Sequence, residues 1–323
     1  MYVNNNNNFF HGIMFHHFHD DGIHTKGQGS IDKDDFYNMI NFIGRNNILD
    51  ADTFYEKLKN NKLKSNEVCI TFDDAIKSQI DIALPVLEEL KIKSFFFVYT
   101  SIFQGKPDNL EFFRYFRMNY FDNVDEFYNN FYKVLDKDLK SFFEKNSVTI
   151  KETKIKFPYY SISDIKFRLV RDNFLTKSQY EEIMFLMFKE KRFNHYDFSK
   201  KLFFQKSDLQ TLENLGHLVG LHSHNHPTLL EKLSYDEQKN EYEKCLSSIS
   251  DILNKPKNEI KSMSHPCGSY NEDTLQILKE LGIELGFQLT MTFEIGKGMK
   301  KVNNSFLEVA RQDHTGIFKR MNR

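Results

Sequence analysis

The chain has 323 residues, and its 40% content of hydrophobic residues is enough for a sizeable core. The formal net charge of -1 argues against nucleic acid or an anionic membrane surface as a partner. The three cysteines, Cys69, Cys245 and Cys267, lie far apart, which excludes a thiolate zinc site and disfavours a disulfide framework. We therefore expect a reducing, cytoplasmic environment.

The amino-terminal segment begins Met-Tyr-Val and continues with five asparagines at positions 4–8. It has no basic segment followed by an apolar one, so a secretory signal is not expected. Elsewhere no apolar stretch is long enough to span a bilayer. These features also favour a cytoplasmic protein without a transmembrane segment.

The first part of the chain alternates strand and helix patterns. Apolar runs predict strands, and apolar residues at helical spacing predict helices. The predicted strands are 9–18, 68–72 and 94–99, and the predicted helices are 32–46, 53–63 and 76–90. This alternation indicates βαβ units and a parallel sheet.

The strand at 68–72 runs directly into two carboxylates, Asp73 and Asp74. Unpaired charges in a dry core would each cost several kcal/mol, so the strand must deliver them to a cleft. Because side chains alternate along a strand, one carboxylate can hold a cation while the other accepts a proton. The alternative is that the pair only opens the next helix, as N-cap and first-turn acid.

Residues 104–205 differ in character from the rest of the chain. Strand patterns are weak there, and apolar residues keep helical spacing in 112–120, 124–135 and 180–188. We predict a mostly helical insertion within a single catalytic domain that spans 1–323. Its role stays open between a lid or substrate-recognition cap and structural elaboration.

The α/β alternation resumes after the insertion. A capping box at Ser234 and Glu237 opens a helix that extends to about residue 254. Further helices are predicted at 207–215 and 271–281, and further strands at 217–222, 260–264, 284–290 and 306–311. Seven or eight such units predict an α/β fold, a closed or nearly closed parallel barrel with its chemistry at the carboxyl ends of the strands.

Two histidines, His222 and His226, follow one of these predicted strands at a spacing of i and i+4. On a helical turn this spacing places both imidazoles on one face, while His224 points elsewhere. Imidazoles together with one carboxylate suit zinc and similar transition metals. Surface clustering is the alternative, but the Asp73-Asp74 pair favours a site of two histidines and one aspartate with a spare carboxylate as base.

Three segments resemble motifs of the polysaccharide deacetylase (NodB-homology) superfamily, which comprises metal-dependent carbohydrate N-deacetylases. They are Thr71-Phe72-Asp73-Asp74, His222-Ser223-His224-Asn225-His226-Pro227 and, in its Pro-x-Gly frame, Ser264-His265-Pro266-Cys267-Gly268. The resemblance implies a distorted (β/α) barrel that binds a divalent metal, expected to be zinc. It implies that Asp74, His222 and His226 are the metal ligands and that Asp73 is the general base.

The third motif also implies a contact with the substrate. A backbone N–H near Cys267 is expected to stabilise the oxyanion, and Pro266 and His265 belong to the same segment.

The chain departs from the family pattern at two points. Ser264 stands where the family has an arginine that steadies the base, and Arg311 is predicted to orient Asp73 from a different strand. The late Leu-x-His motif, whose histidine is the general acid in the family, has no clear counterpart. The candidates for the acid are His16, His17 and His314, and His16 leads because its segment resembles the first-strand element of deacetylases acting on poly-N-acetylglucosamine and related sugars.

The resulting hypothesis is hydrolysis of the N-acetyl group of an amino sugar. The expected substrate is an N-acetylated saccharide, a cytosolic nucleotide-linked or lipid-linked precursor of a surface polysaccharide. The alternatives are a hydrolase of a non-sugar amide or imide on the same scaffold, and a catalytically silent carbohydrate-binding homologue.

Overall fold

The structure is a computed structural model that describes residues 10–27, 29–156, 160–291 and 306–321. The chain divides into two compact units. The barrel unit comprises Met1–Asp108 and Ser199–Arg323, and the helical unit comprises Asn109–Phe198. The predicted insertion at 104–205 contains the helical unit, and the assignment of both units to one catalytic domain stays a prediction.

The barrel unit is built on seven strands in one sheet, in the order β6-β5-β4-β3-β2-β1-β7. Every pair of neighbouring strands is parallel. The strands are β1 (His11–Phe15), β2 (Val68–Phe72), β3 (Phe95–Val98), β4 (Leu218–Leu221), β5 (Ser262–Ser264), β6 (Leu285–Phe287) and β7 (Arg311–Asp313). Val309 also pairs in parallel with Phe287, so the sheet is a nearly closed barrel. The predicted distorted (β/α) barrel is confirmed.

The last strand differs from its prediction. A strand was expected at 306–311, but β7 begins only at Arg311. The preceding residues lie along β6 instead, where Gly286 N–H donates to Phe306 O and Val309 N–H donates to Gly286 O. Ala310 O accepts from Gly12 N–H of β1, and Arg311 N–H donates to Thr290 O after β6, so the segment from Val309 to Arg311 lies between β6 and β1 and no single ladder covers the predicted range.

The first helices of the barrel unit are α1 (Lys33–Ile43), α2 (Ala51–Lys59) and α3 (Leu84–Glu89). Asp32 caps α1 by accepting a hydrogen bond from Asp35 N–H. The helix predicted at 76–90 is divided, because a π-helical turn at Gln79–Ala83 precedes α3. The wider turn suits Pro85, which has no N–H to donate to the carbonyl four residues earlier.

The helical unit contains α4 (Asn109–Asn119), α5 (Val124–Leu135), α6 (Lys140–Lys145), α7 (Ser147–Lys156), α8 (Ile162–Leu169) and α9 (Lys177–Glu190). The predictions at 112–120, 124–135 and 180–188 correspond to α4, α5 and α9. Packed aromatic rings form the core of this unit, and Phe116 and Phe188 lie 4.6 Å apart. In the part of the unit that is described, no strand is present.

The barrel unit continues with α10 (Ser199–Leu202), α11 (Lys206–Asn214), α12 (Tyr235–Leu253), α13 (Glu272–Glu280) and α14 (His314–Met321). The predicted capping box is present: Ser234 accepts from Glu237 N–H, and Glu237 accepts from Ser234 N–H. Within the described ranges, no helix has the length and apolar character needed to cross a membrane.

Stacked phenylalanines hold the ends of the central strands in place. Phe72 of β2 stacks on Phe96 of β3 at 4.6 Å, and Phe15 of β1 packs edge-on against Phe36 of α1 at 4.9 Å. All four side chains are fully buried. The phenylalanine-rich composition therefore builds the core that supports the carboxyl ends of β1 and β2.

A buried histidine makes the stability of the barrel unit depend on pH. Burial lowers the pKa of His217 from 6.5 to about 4, although Glu88 opposes the shift. The folded state therefore prefers neutral His217, and its stability should fall as pH drops from 6.5 toward 4. Wild type should lose about 2 kcal/mol more than His217→Asn between pH 7 and 4.5 in urea unfolding. The asparagine side chain can still accept the hydrogen bond that Ser94 N–H donates to His217 Nδ1. If the free energy of unfolding declined equally in the two proteins, His217 would not be the cause of the pH dependence.

Candidate active site

Asp73 and Asp74, at the end of β2, are followed by a turn whose backbone is not helical. Asp74 and Ala75 both have left-handed backbone angles, with φ of 73° and 52°. The pair therefore does not open a helix as N-cap and first-turn acid. Gln79 holds the turn by donating from Nε2 to Asp73 O at 2.6 Å and to His16 O at 2.9 Å. This side chain ties the end of β1 to the end of β2.

Asp74, His222 and His226 converge to a single point. Asp74 Oδ1 lies 3.2 Å from Nε2 of each histidine, and one ligand atom from each of the three residues falls within 4.8 Å of the others. His222 Nδ1 donates to Ser264 O at 2.9 Å, which leaves its Nε2 with the lone pair that a metal ligand needs. Two imidazole nitrogens and one carboxylate oxygen form a donor set that fits a divalent transition metal with open positions.

The histidine segment is not the helical turn that the spacing predicts. Residues 222–227 form a bend, in which Ser223 and His226 have φ of 64° and 55°. Glu241 of α12 holds this bend by accepting the N–H groups of His224 and Asn225 at 3.0 and 2.7 Å. The left-handed residues, rather than helical periodicity, bring the rings of His222 and His226 to 5.0 Å from each other.

Asp74 and His226 stabilise each other's charged forms. Burial alone would raise the pKa of Asp74, but His226 and His222 hold it well below its usual value. Burial would lower the pKa of His226, and Asp74 raises it above its usual value. Asp74 is therefore ionised and able to act as a metal ligand.

Asp73 forms a bidentate ion pair with Arg311, the residue predicted to orient it. Arg311 Nη1 lies 2.8 Å from Asp73 Oδ1, and Nη2 lies 2.7 Å from Oδ2. The side chains of Asp73 and Arg311 are 2% and 0% exposed. Burial would raise the pKa of Asp73, but the positive charge of Arg311, together with His222 and His16, outweighs this effect and the pKa lies below its usual value.

The stem of Arg311 passes beside a residue that must be small. Gly12 of β1 is paired with Arg311 in the sheet register. A Cβ atom at Gly12 would lie 3.0 Å from Phe287 Cε1 and 3.1 Å from Arg311 Cγ. Glycine thus gives the arginine room to cross the barrel interior toward β2.

His16 is the acid candidate that lies nearest the carboxylates. Its Nε2 is 3.9 Å from Asp73 Oδ2 and 3.9 Å from Asp74 Oδ2, and its side chain is 23% exposed. The ring of His17 stacks on His16 with centroids 6.2 Å apart. His314 is buried and donates from Nε2 to Gly29 O at 2.8 Å. The assignment of His16 as the general acid stays a prediction.

The third-motif segment is divided between surface and core. Pro266–Gly268 forms a short 3₁₀ turn in which Cys267 is exposed and has φ of 52°. Pro266 is buried, and His265 is fully buried with Nε2 donating to Leu307 O at 2.9 Å. Burial lowers the pKa of His265 to about 3. The structure therefore places Cys267 at the surface and His265 in the core, where its ring stacks on Tyr270 with centroids 4.0 Å apart.

Several supporting residues were not predicted from the sequence. Ser264, Gln288, Thr71 and Gln79 bond to the backbone or side chains of the site residues, and Glu241 bonds to the residues between His222 and His226. Two of them carried a signal in the sequence: Thr71 belongs to the first motif, and Ser264 stands where the related motif has an arginine.

Replacement of Arg311 tests the buried ion pair. Arg311→Gln leaves the Asp73 carboxylate buried without a countercharge and should lower the free energy of unfolding by about 3–5 kcal/mol. Asp73→Asn in the same chain removes the orphaned charge, so the double variant should recover more than about 1 kcal/mol. Urea unfolding of the four proteins measures this coupling. Additive effects of the two replacements would contradict it.

Comparison with solved structures supports the fold described here. A deacetylase PplD from Streptococcus pyogenes, solved in complex with acetate, is similar with a TM-score of 0.53 and 16% identity, over 94% of this chain and 91% of that one. IcaB from Ammonifex degensii is similar with a TM-score of 0.53 and 13% identity over the same shares. A de-N-acetylase from Aggregatibacter actinomycetemcomitans has a TM-score of 0.51 and 13% identity, over 94% and 93% of the chains. At these identities, the likeness concerns the fold.

The sequence itself matches a known family. No curated protein matches the chain closely enough to count as a relative. The family model described as "Polysaccharide deacetylase" matches residues 118–286, more than half of the chain. The matched range includes His222, His226 and Ser264, while Asp73 and Asp74 precede it. The chain belongs to the polysaccharide deacetylase family.

Proposed function

We propose that this protein is a metal-dependent hydrolase that removes the N-acetyl group from an amino sugar. The observation that carries the proposal is the convergence of Asp74, His222 and His226 beside an ionised, buried Asp73. Family membership supports the same chemistry. The S. pyogenes structure contains acetate and the A. actinomycetemcomitans protein is named a de-N-acetylase.

Asp74, His222 and His226 are the proposed metal ligands, and their donor set favours zinc. A divalent metal in this place would polarise a carbonyl group and lower the pKa of water. Ser264 O orients the ring of His222, and the bend held by Glu241 orients His226. The chain itself thus presents both Nε2 atoms toward Asp74 Oδ1.

Asp73 is the proposed general base. The Arg311 guanidinium favours the ionised carboxylate and restrains its orientation, because Nη1 donates to Oδ1 and Nη2 lies 2.7 Å from Oδ2. His16 is the proposed general acid that donates a proton to the leaving amine, since it is partly exposed and lies 3.9 Å from both carboxylates. The N–H near Cys267 is proposed to stabilise the oxyanion from the exposed turn.

We also propose that the substrate is a nucleotide-linked or lipid-linked N-acetylated precursor of a surface polysaccharide, in the cytoplasm. All three cysteines are free thiols, and Cys69 and Cys245 are buried. Free thiols are usual in a reducing compartment, which supports this location.

Metal content and turnover together test the function. Purified wild type should hold close to one zinc or other transition metal ion per chain, and His222→Ala/His226→Ala should lose it. Asp73→Asn should retain the metal and lose about 100-fold or more of its acetate release from N-acetylated amino sugars. The matched control is His224→Asn. His224 lies between the two ligands, but its Nδ1 bonds to Thr100 Oγ1, so this variant should keep the metal.

Each alternative gives a different result in these assays. Turnover of a cyclic imide without acetate release would indicate the amide or imide hydrolase. Saccharide binding without turnover of any substrate would indicate a silent carbohydrate-binding homologue. A wild type unable to take up zinc would contradict the metal site.

A further inference from the structure

We propose that Ser264 is a positioning residue that fixes the base Asp73 and the ligand His222 relative to each other. The proposal rests on the proposed function. Ser264 is the last residue of β5 and is 0% exposed. Two of its atoms contact the site: its hydroxyl contacts Asp73, and its backbone carbonyl contacts His222.

The hydroxyl of Ser264 can be oriented in only one way. Arg311 Nη2 lies 2.9 Å from Ser264 Oγ, and a guanidinium only donates hydrogen bonds. Ser264 Oγ therefore accepts from Arg311, and its single proton is free to donate to Asp73 Oδ2 at 3.1 Å. The Ser264 hydroxyl therefore links the Arg311 guanidinium to the Asp73 carboxylate by two hydrogen bonds.

The hydrogen bond from Ser264 to Asp73 restrains the carboxylate in addition to the ion pair with Arg311. The bidentate guanidinium approaches the two oxygens of Asp73 from one side. The Ser264 hydroxyl adds a second donor to Oδ2 from a different strand. Two hydrogen bonds and one ion-pair contact, from β5 and β7, therefore hold a carboxylate that directly follows β2, and rotation of the carboxylate would break at least one of them.

The backbone of Ser264 acts on the metal ligand at the same time. Its carbonyl oxygen accepts from His222 Nδ1 at 2.9 Å, which orients Nε2 toward Asp74. The position of Ser264 is itself fixed, because it pairs with Phe287 of β6 and the next N–H, of His265, donates to Phe287 O at 3.0 Å. One rigid residue therefore sets the separation between the base and the metal ligand.

Ser264→Ala removes the hydroxyl and keeps the carbonyl, so the two contacts can be tested separately. We expect kcat to fall by about 10–100-fold, the range typical of partners of ligating and catalytic groups. KM should stay within about twofold because Ser264 is fully buried, and metal content should equal that of wild type. Ser264→Thr keeps a hydroxyl and should recover part of the lost kcat.

The matched control is Ser262→Ala, on the same strand. Ser262 is also buried, at 4%, and its hydroxyl lies beside Gly220, 2.7 Å from where a Cβ of that residue would be. Its replacement should leave kcat unchanged. If Ser264→Ala turned over like Ser262→Ala, the positioning role would be overturned.

A crystal structure of Ser264→Ala gives a readout that does not depend on the substrate. The Asp73 carboxylate should rotate or shift relative to Arg311, while His222 stays in place. An unmoved carboxylate would overturn the role of Ser264 even if the reaction were different from the one proposed. Failure of the proposed function would appear separately, as wild type that releases no acetate.

Discussion

The geometry of the site depends on one buried guanidinium. Arg311 donates four hydrogen bonds: Nε to Gln288 O, Nη1 to Asp73 Oδ1 and Thr71 Oγ1, and Nη2 to Ser264 Oγ. Nη2 also lies 2.7 Å from Asp73 Oδ2 as part of the ion pair. A buried charge is costly unless it is paired and hydrogen-bonded, and the Arg311 guanidinium is both. Because the acceptors come from β2 and the residue after it, from β5 and from the residue after β6, the position of Asp73 depends on the way these strands are brought together in the barrel.

The position of Arg311 explains features of the chain that take no direct part in the site. Gly12 leaves room for the stem of Arg311, and the segment from Val309 to Arg311 pairs with β6 on one side and with β1 on the other. This pairing on both sides places Arg311 between β6 and β1, and from there its side chain reaches Asp73.

The parts of the site that follow local rules could be predicted from the sequence. Strand alternation placed Asp73 and Asp74 at a strand end, and the cap at Ser234 followed from its spacing to Glu237. Contacts between distant segments could not be predicted, since Ser264 and Asp73 are 191 residues apart in sequence. The bend at 222–227 was predicted as a helical turn because periodicity carries no information about left-handed residues such as Ser223 and His226. Arg311 was predicted only because the arginine expected at the position of Ser264 was missing.

The residues proposed as metal ligands combine backbone strain with rigid support. Asp74 and His226 both have left-handed backbone angles, each of which costs of order 1–3 kcal/mol for residues other than glycine. Such conformations persist only where neighbours determine them, and Gln79 and Glu241 do so by bonding to the backbone on either side of the site. The three side chains are thus held close together by the protein itself. Asp74 Oδ1 lies 3.2 Å from His226 Nε2, and its charge raises the pKa of this histidine above its usual value. A metal ion held by the proposed ligands would compete with that proton.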